Sequence, residues 1–355
     1  MTPDAAFPNS AMQPGGAPFN AARRTLIVIP CLNEQRFIGG LLKQLLADEA
    51  LVDPLIVVAD GGSRDASRSI VQALAREAPQ IRLLDNPARL QSAGVNLAAR
   101  LYGQDRPWLI RIDAHATYPD GYASALVEQA LSREAASIVV AMDTVGAPGF
   151  QRGVAIAQTS ALGTGGSAHR VAGATGWVDH GHHALFSTPA FLASGGYDES
   201  FSHNEDAELD LRLAQAGGKI WLTDQPRVTY YPRDNPAALW RQYFAYGRGR
   251  MRTVLKHRAR LRPRQTLPLL VAPALVLAAV SPWFGLAAAP ATLWAIACLG
   301  FGLLLAVRRR DPWGVLAGPA AMIMHAAWSF GAWRQRLTHG FAVHAPAVAT
   351  ESPVL

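Results

Sequence analysis

Cysteine is nearly missing from this chain of 355 residues: Cys31 and Cys298 are the only two. One lies in a motif and the other in an apolar run, so a disulfide framework is excluded and a reducing compartment fits. Acidic residues are scarce in the last third. Residues 241–355 hold 14 Lys+Arg against 2 Asp+Glu, whereas residues 1–240 hold 19 against 24. The pI of 9.8 therefore belongs to the C-terminal third and not to a basic domain built for nucleic acid. No RNA- or DNA-binding motif with interleaved aromatics occurs either. The first 22 residues are rich in Pro, Ala and Gly and carry no apolar run after a basic start. They read as a disordered tail and not as a signal peptide. No internal repeat is found.

Charge is also absent from two long runs. Gln265–Val307 has 43 residues without a charge, and Pro312–Trp333 has another 22. At about 20 residues per crossing, the first run accommodates two helices with a turn near Ser281–Gly285, and the second one more. These lengths make a membrane protein the expectation, with two or three transmembrane helices over residues 265–335 and a tail over 336–355. The segment 236–264 reads as a basic amphipathic interfacial element, its nine Lys/Arg at 241–264 unaccompanied by an acid. With Arg308–Arg310, these charges place the N-terminal domain in the cytoplasm by the positive-inside rule, and the chain in the inner (plasma) membrane as a multi-pass protein. Arg334 and Arg336 leave the third segment open between a full crossing and a re-entrant or interfacial placement.

What the first two-thirds contain is an alternation of short apolar runs and helical patterns. Strands are expected at Leu26–Ile29, Leu55–Ala59, Ile81–Leu84, Trp108–Ile112 and Ser137–Ala141. Helices are expected at Phe37–Ala47, Asp65–Arg76, Gln91–Arg100 and Tyr122–Arg133. This implies an α/β domain with a mostly parallel sheet over residues 23–235. After Asp143 the pattern loosens. Gly163–Gly176 reads as a mobile loop, His183–Phe186 and Lys219–Leu222 as strands, and Asp206–Ala216 as a helix. Pro236–His257 reads as a basic helix with a break near Gly247.

Asp60 and Asp113 each fall where an apolar run stops, the end of a parallel strand at which ligands collect. Asp65 is best read as a helix-capping acid. Glu205 and Asp206 open a later helix, where acids commonly complement the dipole. His180, His182 and His183 lack a supporting carboxylate cluster beyond Asp179, so packing or acceptor contact is preferred over a second metal site.

Pro30-Cys31-Leu32-Asn33-Glu34, Asp60-Gly61-Gly62-Ser63-Arg64-Asp65, Asp113 with His115, and Asn204-Glu205-Asp206 together resemble the family 2 inverting glycosyltransferases of the GT-A fold. Arg111–Pro119, His203–Leu209, Tyr230–Arg233 and Arg241–Arg250 are similar to the membrane glucosyltransferase group of succinoglycan biosynthesis. The resemblance covers roughly residues 24–335. It implies a Rossmann-like GT-A domain followed by C-terminal transmembrane helices. The implied reaction moves a hexose, with glucose expected, from a UDP-sugar to a polyprenyl-diphosphate-linked saccharide. A polyprenyl-phosphate hexose synthase and a non-catalytic export scaffold are the rival readings.

The resemblance also implies roles. Pro30, Glu34, Asp60 and Asp113 would bind the nucleotide-sugar, Asp60 by accepting from the uracil N3–H. Asp113 and His115 occupy the place of the family's Asp-x-Asp and would hold a divalent cation, Mn or Mg. His115 stands where the broad family has a second Asp, which tilts the choice towards Mn. Asp206 would be the general base of direct displacement, with Glu205 orienting the acceptor. Trp177, Gln242, Arg248 and Arg250 would meet the acceptor or the diphosphate. The processive Gln-x-x-Arg-Trp motif is broken here, Gln242 being followed by Ala245-Tyr246, which argues for one sugar added per acceptor.

Overall fold

The computed structural model describes residues 21–165, 173–261, 263–280 and 285–343. The N-terminal tail, the centre of the Gly163–Gly176 loop and the turn near Ser281 fall outside these residues. The chain divides into two compact units, Met1–Ala147 with Gln158–Pro232, and Pro148–Ala157 with Arg233–Leu355. An unbroken domain over 23–235 was expected; instead the segment Pro148–Ala157 leaves it for the second unit.

The strands are β1 (Arg24–Cys31), β2 (Val52–Asp60), β3 (Ile81–Asp85), β4 (Trp108–Arg111), β5 (Ser137–Thr144), β6 (Gly176–Val178), β7 (His182–Ser187) and β8 (Ile220–Tyr230). Helices α1 (Ile38–Leu46), α2 (Ser67–Glu77), α3 (Gln91–Tyr102) and α4 (Tyr122–Arg133) connect the first strands. They are followed by α5 (Phe150–Gln158), α6 (Ala161–Thr164), α7 (Thr188–Ala193) and α8 (Glu205–Gln215). One eight-stranded sheet runs β3-β2-β1-β4-β7-β5-β8-β6. The pairs β1–β2, β1–β4, β2–β3 and β5–β8 are parallel, whereas β7 pairs antiparallel with both β4 and β5, and β6 antiparallel with β8. This is a mostly parallel mixed sheet of the GT-A kind.

The apolar runs are strands because both of their faces are covered. Ile27, Ile29, Ile56, Val58 and Ile110 pack into one core with residues of α1 and α4. Leu26, Val28, Val57 and Leu109 point the other way, against residues of α3, α7 and α8. The ends of β1, β2 and β4 thereby reach one edge of the sheet together.

Two sequence expectations stop short. β8 continues to Tyr230, well past the expected strand end at Leu222. Its pairing with β5 shifts register between Val140 and Met142, so the irregular residues are absorbed as a bulge. The expected loop also contributes structure at both ends, α6 and β6.

The C-terminal unit holds α9 (Pro236–His257), α10 (Pro263–Leu269), α11 (Val271–Ala279), α12 (Ala289–Arg309) and α13 (Ala317–Val343). α9 is unbroken at Gly247. Helix α13 extends past the expected boundary at 335. Two stretches, Leu286–Arg309 and Pro312–His339, are long and apolar enough to cross a membrane. The first expected crossing is not among them. Gln265–Ala279 is an apolar stretch interrupted between α10 and α11, about 22 Å long at 1.5 Å per residue and short of a roughly 30 Å hydrocarbon core.

Candidate active site

The loops after β1 and β2 are laced to each other by side chains. Asn33 donates its backbone N–H to Ser63 Oγ at 2.9 Å and accepts from the Arg64 N–H at 2.8 Å. Ser67 Oγ accepts from the Glu34 N–H at 2.8 Å, and Gln35 Oε1 accepts from the Ala66 N–H at 3.0 Å. Asp65 accepts from Gln35 N–H at 3.1 Å and Ser67 N–H at 3.0 Å, so it holds the first amide of α2, one residue ahead of the N-cap Ala66, and ties the loops at once. Asn33 stands at φ 58°, a left-handed conformation that Asn tolerates. The sequence PCLNEQ…ADGGSRD is thus a set of acceptors spaced to satisfy the other loop's amides.

Asp60 ends β2 and is 1% exposed. Its carboxylate accepts from Gly62 N–H at 3.0 Å, Ser63 N–H at 3.1 Å and Arg68 at 2.7 Å. Burial works against its charge, but the hydrogen bonds from Ser63, Arg68 and Gly62 outweigh that and hold its pKa below the usual carboxylate range. These contacts tie it to its own loop and to α2, and Arg68 also reaches Asp85 at 2.7 Å.

Beside these loops opens a cavity of about 250 Å³. Pro30, Glu34, Gly61, Arg89, Gln91, Asp113 and His115 are among the residues that line it. Asp113 Oδ1 accepts from Gln91 Nε2, at the first turn of α3, at 2.7 Å. The Asp113 N–H donates to the Tyr118 hydroxyl at 2.8 Å, which closes the Asp113–Tyr118 loop on itself. His115 is well exposed, and its Nδ1 lies 2.9 Å from Glu34 Oε1.

Arg111 joins this rim to the second acidic pair. Its side chain is 7% exposed, and its guanidinium reaches Asp206 Oδ1 at 2.9 Å, Asp113 Oδ1 at 3.5 Å and Glu205 at 4.0 Å. Tyr197 donates its hydroxyl to the same Asp206 oxygen at 3.0 Å. Burial pushes the Tyr197 phenol above its usual range, with Asp206 adding to the effect, so it stays a donor. Behind Tyr197, Asn96 clamps both backbone groups of that residue at 2.8 Å. Burial and then the neighbouring Asp206 push the Glu205 carboxyl up to about 6. The structure therefore brings Asp113, Glu205 and Asp206 around one guanidinium, and Pro30, Glu34, Asp113 and His115 onto one cavity.

Other candidates stand elsewhere. Trp177 lies on β6, packed edge-on against Trp221 with centroids 5.0 Å apart. Four strand steps separate β6 from β4, about 19 Å across the sheet. Gln242, Arg248 and Arg250 belong to α9 of the C-terminal unit, where Gln242 donates to the Tyr246 hydroxyl at 3.1 Å. His180 Nδ1 pairs with buried Asp210 at 2.7 Å, and His182 pairs with Val140 in the β5–β7 ladder.

Sequence reasoning passed over Arg111, Tyr197, Gln91 and Arg68. For Arg111 a signal existed: it is a lone charge inside the run Trp108–Ile112. For the other three no local pattern distinguishes them from ordinary helix and loop residues.

Among the described residues, no three His, Cys, Asp or Glu side chains converge as a ready-made metal shell. Asp113 and His115 nevertheless share the cavity. That carboxylate–imidazole pair fits a divalent cation of borderline softness, such as Mn, better than a purely oxygen-seeking one.

Residues 26–193 match the family described as Glycosyl transferase family 2. The chain is 53% identical over 315 residues to the succinoglycan biosynthesis protein ExoA of Rhizobium meliloti (strain 1021), covering 88% of this chain and 95% of that one. A solved mannosyltransferase, PcManGT from Pyrobaculum calidifontis in complex with GDP-Man and Mn2+, shares the fold. Its TM-score is 0.54 at 19% identity, over 87% of this chain and 86% of that chain.

Proposed function

The chain belongs to glycosyl transferase family 2, and on that premise we propose that it transfers a hexose, glucose by this reading, from a UDP-sugar with inversion. The acceptor is a polyprenyl-diphosphate-linked saccharide, and the product is an intermediate of a succinoglycan-like exopolysaccharide. The observation that carries the reading is the Arg111 guanidinium, held between Asp206 and Asp113 at the carboxyl end of β4.

In this reading Asp206 is the base. Its Oδ1 is oriented by Arg111 and Tyr197, which both donate to it. The acceptor hydroxyl gives its proton to Asp206 as its oxygen attacks the anomeric carbon, and the C–O bond to the diphosphate breaks on the opposite face. Burial and the neighbouring Asp206 raise the Glu205 carboxyl to about 6, so it remains mostly ionised at neutral pH and orients the acceptor by accepting from one of its hydroxyls. Pro30, Glu34 and Asp60 shape the nucleotide pocket; Asp60 does so by ordering Gly62 and Ser63, and in this reading it would also accept from the uracil N3–H. Asp113 and His115 would hold a divalent cation, Mn or Mg, which supplies charge neutralisation to the departing diphosphate. Trp177, Gln242, Arg248 and Arg250 remain in this proposal as contacts to the acceptor or its diphosphate. The C-terminal unit tethers the enzyme to the cytoplasmic face of the inner membrane.

The test is Asp206→Asn in native membranes supplied with UDP-glucose, Mn2+ and acceptor lipid. Loss of the base lowers kcat by roughly 10²–10⁴-fold with the donor KM little changed. A variant that keeps the full rate removes Asp206 from the mechanism. Chromatography of the lipid product separates a diphosphate-linked saccharide from a polyprenyl monophosphate sugar, and absence of donor turnover by the unsubstituted chain favours a scaffold.

A further inference from the structure

The two oxygens of the Asp113 carboxylate are in different situations. Oδ1 accepts from Gln91 Nε2 at 2.7 Å and lies 3.5 Å from Arg111 Nε. Oδ2 accepts no hydrogen bond from the described residues. The carboxylate therefore turns one oxygen to a fixed guanidinium and leaves the other for a ligand of the cavity that Asp113 lines with His115.

Arg111 is not placed to swing away from Asp113. Its side chain is nearly covered, and Nη1 donates to Asp206 Oδ1 at 2.9 Å and to the Tyr197 hydroxyl at 3.2 Å. Its Cζ also stands 5.7 Å from the centroid of the Tyr197 ring. Asp113, Glu205 and Asp206 thus share a single positive charge, one that no working pH removes. Three carboxylates facing one another without it would have the composition that collects divalent cations. A cation caught there would take the Asp206 lone pairs that an acceptor proton needs.

The ligand set offered on the cavity side is short. Asp113 and His115 supply one oxygen and one nitrogen, and His115 Nδ1 is already 2.9 Å from Glu34. No third His, Cys, Asp or Glu among the described residues completes the set. A like charge roughly 6 Å from a divalent ion opposes its binding strongly in a setting this covered. We propose that Arg111 is a positioning residue that sets the order of binding. It keeps Asp113 from holding a divalent cation by itself, so the cation is retained only together with a nucleoside diphosphate. The diphosphate oxygens supply the missing ligands, and their negative charge offsets the guanidinium. The inference rests on the reading of Asp113 and His115 given above.

The experiment measures Mn2+ binding to the detergent-solubilised full chain at neutral pH, from the paramagnetic resonance signal of the free ion. With Mn2+ alone, Arg111→Met is expected to bind roughly ten-fold tighter than the unsubstituted chain, or more. Arg111→Lys keeps the charge and is expected to stay within about three-fold of the unsubstituted chain. A residue that only held the fold together would move the affinity the other way. UDP is the probe for the donor, with the Mn–UDP complex of protein-free buffer subtracted. It is expected to tighten Mn2+ roughly ten-fold in the unsubstituted chain and by less in Arg111→Met. The UDP measurement on the unsubstituted chain decides the matter should Arg111→Met fail to fold. Equal or weaker Mn2+ affinity in folded Arg111→Met overturns the proposal. An unsubstituted chain whose Mn2+ affinity UDP leaves unchanged overturns it too, and leaves the cation reading intact. Mn2+ that binds under none of these conditions overturns the proposal and the cation reading together. Glucose transfer, scored on the same preparation, reports separately on the enzymatic reading.

Discussion

The donor loops and the C-terminal helix seam are held together by opposite means. Between the loops after β1 and β2, order comes from side chains that accept from backbone amides: Ser63, Ser67, Asp65, Asn33 and Gln35 each satisfy an N–H of the facing loop. Between α9 and α13, order comes from the lack of side chains, with Gly247 and Gly331 letting one backbone rest on the other. The lacing is redundant, so the loss of one tie leaves the rest. The seam admits no atom at all. A region that must accommodate a ligand is built from many weak, separable bonds, and a region that must resist shear is built from two close approaches.

Breaking the seam is expected to have the largest effect. Gly247→Val places a Cβ against the Trp328 carbonyl oxygen, and the helices must part. The opening free energy of α9 amides, read by hydrogen exchange, should fall by more than about 3 kcal/mol, the upper range for overpacking. Unchanged exchange would show that the seam yields.

A middle-sized effect belongs to Glu205, one of the two largely covered acids beside Arg111. Its folded pKa of about 6 is raised from the usual 4.5. The folded state therefore binds the proton more tightly than the unfolded chain, and stability falls as pH rises through that window. Glu205→Gln escapes the penalty. The stability difference between variant and unsubstituted chain should grow in the variant's favour by roughly 2 kcal/mol between pH 4.5 and pH 7.5. A thermal-unfolding series across that range with a flat difference would remove Glu205 from its buried setting.

The smallest effect is predicted for one lace. Ser67→Ala leaves the Glu34 N–H without its acceptor and should cost about 1 kcal/mol in stability, with donor KM raised only a few-fold. A loss as large as that of the Gly247 variant would abolish the contrast between the two regions.

Much of the first unit was legible because its signals are local. Leu26–Ile29 and Leu55–Ala59 are apolar runs bounded by turn residues, and such runs fold as buried strands wherever helices cover both faces. Tyr122–Arg133 and Pro236–His257 match α4 and α9 end to end. The direction of β7, the reach of β8 through Gln225-Pro226 and the departure of α5 to the other unit were not legible. Each depends on which strand or helix offers a partner, and no window of sequence contains that choice. At the candidate site, Asp60, Asp113 and Asp206 stood out as acids at the ends of elements. Arg111, the group that ties the last two together, was passed over as one more residue of a strand.

What the sequence determined by itself is chemical identity and order: acids at strand ends, acceptors spaced to meet facing amides, charge excluded from two long runs, and a basic helix before them. These follow from short-range physics, since periodicity, capping and solvation act over a few residues. Tertiary structure alone decided which carboxylates share a guanidinium, how the Asp60 carboxylate is bound, and which apolar helix lies against the basic one. Those outcomes turn on distances between residues far apart in the chain, and a hydrogen bond or an ion pair exists only when folding has brought its two halves within about 3 Å.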